Sequence, residues 1–378
     1  MSLSKITILG PLHPYRGGIA AHTTRLREAL QLKREIHTEA YRNPFPKWLY
    51  PGEHVGDLKR HPDTLDGAHY DLDYKLPGAW SKVTRRIIAE RPEAVLVPWW
   101  TFFFAPHIWQ LARKLKRENI PLLLICHNLF DHDSSKWKNL LSLQALKHAS
   151  GFICHSPSIK AELAEQFPAV PRLFYPHPIY DQFTKRDASP TNATTIQLLF
   201  FGLVRPYKGL DTLIAALESY PRKAHLTVAG EWWGEQTELL ARCKSLKQQG
   251  RLTLLNHYID DQTAEQLFAE CHCVVLPYKK ATNSGVLAHA IHMSKPAIAS
   301  DTGAFPYCIK PGETGLLVPP DDVDKLTNAI LQIQQMYLDG HDFAPAIENM
   351  TASMSWDSFA EKITEFIPLI KTTLPSPS

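Results

Sequence analysis

Short apolar runs of strand length alternate along this chain with segments whose apolar residues recur every three or four positions. "KITILG" precedes a helical pattern from Ala20 to Leu32, and "AVLVPWW" precedes "HIWQLARKLKREN". "PLLLICHN" is followed by "WKNLLSLQALKHA" and then by "GFICHS". Continuous apolar strands separated by amphipathic helices predict a parallel sheet covered on both faces. Near Asp181 the rhythm stops. "DQFTKRDASPTNATT" has neither periodicity and reads as a linker. The alternation restarts with "IQLLFFG", "GLDTLIAALESY", "HLTVAG", "GEQTELLARCKSL", "LTLLN", "TAEQLFAEC", "CVVLPY", "SGVLAHAIHM", "KPAIAS", "TGLLVPP" and "DVDKLTNAILQIQQMYLDG". The pattern therefore predicts an α/β protein with two doubly wound domains.

Length agrees with that reading, because 378 residues exceed one ordinary core. A net charge of +3 is too small for a nucleic-acid partner, which needs a dense basic face. Cysteines 126, 154, 243, 271, 273 and 308 lie mostly in apolar runs and read as reduced core residues of a cytosolic protein. In "ECHCVVLP" a strand would turn Cys271 and Cys273 to one face and His272 to the other, which argues against a metal cluster. The apolar start is too short for a signal peptide and no spanning segment is present, so the expected location is cytoplasmic, free or peripheral on the inner face of a membrane.

Ligands of parallel sheets bind beyond the carboxyl ends of the strands, so the strand-to-helix turns are where chemistry is expected. Gly17 and Gly18 stand just before the first helix, as a tight turn or as an anion site. After Gly202, Arg205 and Lys208 occupy the next such loop as two surface cations or as a diphosphate grip. Asn283 or Ser284 caps a further helix, whose first amides at Ser284, Gly285 and Val286 can meet phosphate oxygens. Asp71 and Asp73 form a D-x-D in a loop-rich stretch, a two-residue pattern that arises often by chance. Aromatics in "NPFPKWLYP" and "VPWWTFFFAPHIW", with basic segments such as "ARKLKREN", read either as core and solvated face or as a surface for an anionic membrane.

"GGIAAHT", "CHN", "FFGLVRPYKGLDTL", "VAGE", "NHYIDDQTAEQLFAECHCVVLPY", "SGVLAHAIHMSKPAIASDTGA" and "GETGLLVPPDDVDKL" occur in the order and spacing of the retaining glycosyltransferases of family GT4. The resemblance covers nearly the whole chain and is densest from about 196 to 335. It implies the GT-B fold, two Rossmann-like parallel-sheet domains facing each other across a cleft. Residues 1–185 would form the acceptor domain, completed by a helix at 356–372, and residues 192–355 the nucleotide-sugar domain. It implies transfer of a hexose from a UDP- or GDP-sugar to a carbohydrate or lipid-linked hydroxyl with retention, without a metal or other cofactor. Implied catalytic residues are His127, Arg205 and Lys208. Implied donor contacts are Gly17, Gly18, Gly202, Glu231, Tyr258, Asn283, Ser284, Gly285, Val286 and His289.

One departure matters. The family commonly carries two glutamates eight positions apart, and this chain has Ala281 and His289 there. His289 is expected on the polar side of its helix, replacing the second glutamate at the ribose, with nucleotide affinity sensitive to pH below about 6.5. A noncatalytic nucleotide-sugar-binding or scaffold protein, or a GT-B epimerase or phosphorylase, stands as the alternative.

Overall fold

A computed structural model describes residues 4–15, 17–43, 64–76, 78–130, 135–179, 193–234, 236–281, 284–351 and 354–373. The chain divides into two compact units, Met1–Tyr175 with Trp356–Ser378, and Pro176–Ser355. In the first unit the strands are β1 (Lys5–Gly10), β2 (Glu35–Asn43), β3 (Ala68–Asp73), β4 (Ala94–Trp99), β5 (Leu122–Cys126), β6 (Gly151–Cys154) and β7 (Arg172–Phe174). Its helices are α1 (Gly18–Gln31), α2 (Ala79–Ala89), α3 (Ala105–Arg117), α4 (Lys136–Leu146) and α5 (Pro157–Gln166).

The described strands of this unit pair in parallel in the order β3-β2-β1-β4-β5-β6-β7. Every residue of β4, β5 and β6 is buried, as a sheet covered on both faces requires. β3 corrects one expectation: Asp71 and Asp73 lie on a strand and not in a loop. Asp71 meets Arg86 at 2.8 Å, which holds its carboxyl below the usual range, and Asp73 accepts from Asn43 at 2.6 Å. These carboxylates are occupied by the fold.

The second unit holds β8 (Thr195–Phe201), β9 (Lys223–Ala229), β10 (Leu252–Leu255), β11 (Cys273–Leu276), β12 (Ala297–Ser300) and β13 (Gly315–Val318). Its helices are α6 (Leu210–Glu218), α7 (Thr237–Gln248), α8 (Asp261–Glu270), α9 (Gly285–His292), α10 (Phe305–Cys308), α11 (Val323–Leu338) and α12 (Ala344–Thr351). These strands pair in parallel as β10-β9-β8-β11-β12-β13. The strand order reverses between β8 and β11, and a doubly wound sheet offers its binding crevice at such a point. Cys271 caps the end of α8 and only Cys273 belongs to β11, so the two do not share one strand face. His272 Nδ1 accepts the Gln197 amide at 3.0 Å.

The chain then returns to the first unit as α13 (Trp356–Thr373), which packs against α1 and buries Phe359, Ala360, Ile363, Ile367 and Ile370.

Candidate functional site

The turn after β8 is built for close approach. Gly202 donates to Ala229 O at 2.8 Å and Val204 to Glu231 O at 2.8 Å, so the loops beyond β8 and β9 are stitched together. They cross so tightly that a Cβ on Gly230 would lie 2.2 Å from Gly202 O. Arg205 opens a short 3-10 turn, Pro206–Lys208, which Gly209 closes at φ +69, a left-handed value suited to glycine. A Cβ on Gly209 would stand 1.9 Å from Pro277 O.

That turn folds Lys208 inward until it is only 8% exposed. Burial, and secondarily Arg205, pushes its ammonium down to about 8. Its Nζ sits 5.5 Å from the centre of the Tyr278 ring, and Arg205 lies 4.5 Å over Trp233. Among the described residues neither cation has a carboxylate partner, whereas nearby Lys279 is neutralised by Asp211 at 2.8 Å and Asp321 at 3.1 Å. Such a partly desolvated pair of cations favours a bound anion electrostatically.

The start of α9 joins this group. Ser284 is the N-cap, its hydroxyl accepting from Leu287 N at 3.3 Å, while Asn283 lies outside the described residues. Tyr278 bonds the Ser284 side chain, and Val286 Cγ2 comes within 3.5 Å of a Cβ built on Gly202. Gly202, Lys208, Ser284, Gly285 and Val286 therefore converge. Glu231 is tied to them through its backbone, and Tyr258 is 43% exposed.

His289 departs from expectation. Leu287, Ala288, Ala290 and Ile291 are buried as the helix packs, and the histidine is half-buried beside them, its ring 5.9 Å from that of Phe268 and its Nδ1 enclosed. Desolvation first, then His177 and His292, push it down to about 3. A shift in that direction favours the neutral ring and argues against the expected sensitivity below about 6.5. Ala281, in the other glutamate position, packs against the core.

In the first unit, Gly17 (φ 116) is the N-cap of α1 without a side-chain cap, and nothing lies within 4 Å of a Cβ on Gly18. His127 follows β5, its amide donating to Trp99 O at 3.0 Å. Its ring stands 4.7 Å from His22, edge to face. His22 is wholly buried and its Nε2 lies 2.9 Å from His155 Nε2, while His155 Nδ1 donates to Tyr175 O at 2.9 Å. His22 and His155 were not expected here. The signal was present, because Cys154-His155 repeats Cys126-His127, and Cys126 and Cys154 are register partners on adjacent strands.

Comparisons with known proteins fit this frame. Residues 16–175 match the family described as Glycosyltransferase Family 4, and residues 195–336 match Glycosyl transferases group 1. Together the two matches take in most of both units. The chain belongs to the family 4 glycosyltransferases and has the GT-B fold. Among its relatives, the GDP-mannose:glycolipid 4-beta-D-mannosyltransferase of Xanthomonas campestris pv. campestris is 28% identical over 193 residues. That match takes in 50% of this chain and 52% of the relative, so it spans about half the length of either. A phosphatidyl-myo-inositol mannosyltransferase of Mycolicibacterium smegmatis is 29% identical over 152 residues, covering 39% and 38%. Sucrose-phosphate synthase from Thermosynechococcus elongatus superposes with a TM-score of 0.71 at 20% identity, covering 98% of this chain and 99% of that one. Anabaena HepE in complex with UDP-glucose does so at 0.70 and 17% identity, covering 97% and 99%.

Proposed function

We propose that this protein transfers a hexose from a nucleotide-diphosphate sugar to a hydroxyl on a carbohydrate or lipid-linked acceptor. The observation that carries the reading is the pair Arg205 and Lys208, the lysine close to Gly202 and Val286 at the start of α9 and the arginine over Trp233, neither with a carboxylate partner among the described residues. Cleaving a glycosyl phosphate leaves negative charge on the diphosphate and an electron-poor sugar carbon. Preorganised cations and free amides at the leaving group lower that barrier, and in this reading they take the part that a metal plays elsewhere. Unit 2 holds the donor through this group, with His289 offering a neutral imidazole to the ribose hydroxyls. Unit 1 binds the acceptor, and His127 is assigned to the transferring sugar.

Retention is our first reading, by family membership. A second is favoured by one observation: a relative's name specifies a 4-beta-mannosyl product. From an α-linked sugar nucleotide that product requires inversion. Both relatives' names specify mannosyl transfer, and the name of the first makes GDP-mannose the first donor to try.

The test is a thermal-shift panel of UDP, GDP, ADP and their sugars, followed by turnover with the stabilising donor and NMR of the anomeric product. Arg205→Ala and Lys208→Ala should each lower kcat by roughly 100-fold or more while leaving the fold intact. Near wild-type rates in both would remove the diphosphate assignment, and nucleotide binding without transfer to any acceptor would favour a noncatalytic protein.

A further inference from the structure

Helix α4 turns an apolar stripe outward. Its buried positions are Ser142, Ala145 and Leu146, two of them small. Trp137, Leu140 and Leu141, spaced as one helical stripe, are 57%, 58% and 39% exposed. Such a stripe ordinarily marks the face that a helix buries, and here it faces solvent. The adjoining α3 adds Trp109 at 40% exposure.

Cations frame these side chains. Lys138 Nζ lies 4.9 Å from the Phe102 ring centre and 5.7 Å from that of Trp137, and Arg113 lies 4.6 Å from that of Trp109. Along α3 and α4 the charged residues are Arg113, Lys114, Lys116, Arg117, Lys136 and Lys138, with no acidic residue on either helix.

We propose that the outer face of α3 and α4 docks on an anionic lipid bilayer. Trp and Leu enter the headgroup boundary, and the long basic side chains reach anionic headgroups alongside them. Charge selects this occupant over a second copy of the chain. A two-fold contact through the patch would set its cations against the same cations of the partner. The inference rests on the surface alone and is independent of the transfer reading.

The experiment is sedimentation of the full chain with vesicles of phosphatidylcholine alone, or of phosphatidylcholine mixed with phosphatidylglycerol. Binding should require the anionic lipid and weaken with salt. The double variant Trp137→Ser, Leu140→Ser should lower the partition coefficient by roughly tenfold or more. Arg113→Glu with Lys138→Glu provides a second route that leaves the apolar residues in place. Circular dichroism checks that each variant is folded, as substitutions of exposed side chains should allow. Failure of the wild type to bind anionic vesicles would overturn the proposal. So would equal binding by both folded variants, or a wild-type dimer that the serine variant dissociates.

Discussion

In the proposed donor site Lys208 matters most, because its charge is costly before a ligand arrives. A buried ammonium at about 8 instead of 10.5 means that the folded protein resists protonating it, and a bound diphosphate reverses that preference. Affinity for GDP-mannose should therefore be flat below about pH 7.5 and fall up to tenfold per unit above about 8, as the free protein sheds the proton that the complex needs. Calorimetry from about pH 7 to 9.5 checks this, with Lys208→Met expected to be weaker and pH-independent. The sign for folding is opposite: the unfolded chain holds this proton up to a higher pH, so this residue's contribution to stability rises between about 8 and 10.5. His289 behaves differently. With its folded value pushed down to about 3, it remains neutral, so donor affinity should not change between about pH 5 and 7.5. The unfolded histidine takes up a proton below about 6.5, so stability should decline as pH falls through that value, and His289→Leu should flatten the decline in urea titrations. A donor affinity that drops near 6.5 would show the ring to be solvated.

Among the secondary-structure elements, those that read clearly in sequence are those whose surroundings are purely apolar. β5, β6 and β11 are continuous hydrophobic runs, and the turn after β8 could be located because glycines bracket its cations. The stretch containing β2 and β3 did not read as strand. "EIHTEAYRN" is largely polar, yet Thr38 and Glu39 are fully buried, with Glu39 held by Arg86 at 2.6 Å and by His37 at 2.8 Å. Partners distant in sequence neutralise that burial, and no local period records them. α4 fails in the opposite sense: its stripe announces a helix but not which side meets the protein. The partial burial of His289 likewise depends on Phe268, which its own helix does not contain. At Gly209 the structure supplies a backbone requirement that the sequence pattern alone did not state. Gly209→Ala should destabilise the second unit by about 2 kcal/mol or more, since both the positive φ and Pro277 O oppose a side chain. It should also weaken donor binding by displacing Lys208. Chemical denaturation and donor titration measure the two effects, and wild-type stability in this variant would contradict the geometry.

The molecule as a whole is two units of unequal continuity. Pro176–Ser355 is one uninterrupted stretch, whereas the other unit is made of two stretches with that whole domain between them. Removing residues 356–378 should leave the second unit cooperative, with native nucleotide-dependent thermal shifts. The first unit should lose protection along α1, because α13 packs against it, with Phe359 fully buried 6.0 Å from the His22 ring. Phe359→Ala alone should cost about 3–5 kcal/mol. Hydrogen exchange resolves the two units, and unchanged protection of α1 in the truncated chain would refute the dependence.

That interruption has a consequence for synthesis. A chain emerging in order presents β1 to β7 long before it presents α13, so the part of the first sheet that α13 covers must wait exposed while an entire second domain is made. The second unit can fold as it emerges, but the first reaches its native state only after translation has passed Ile370. Premature termination anywhere in the second unit would therefore yield a product with exposed apolar sheet, open to chaperones and proteases, and translation pauses within that stretch would lengthen the interval of risk.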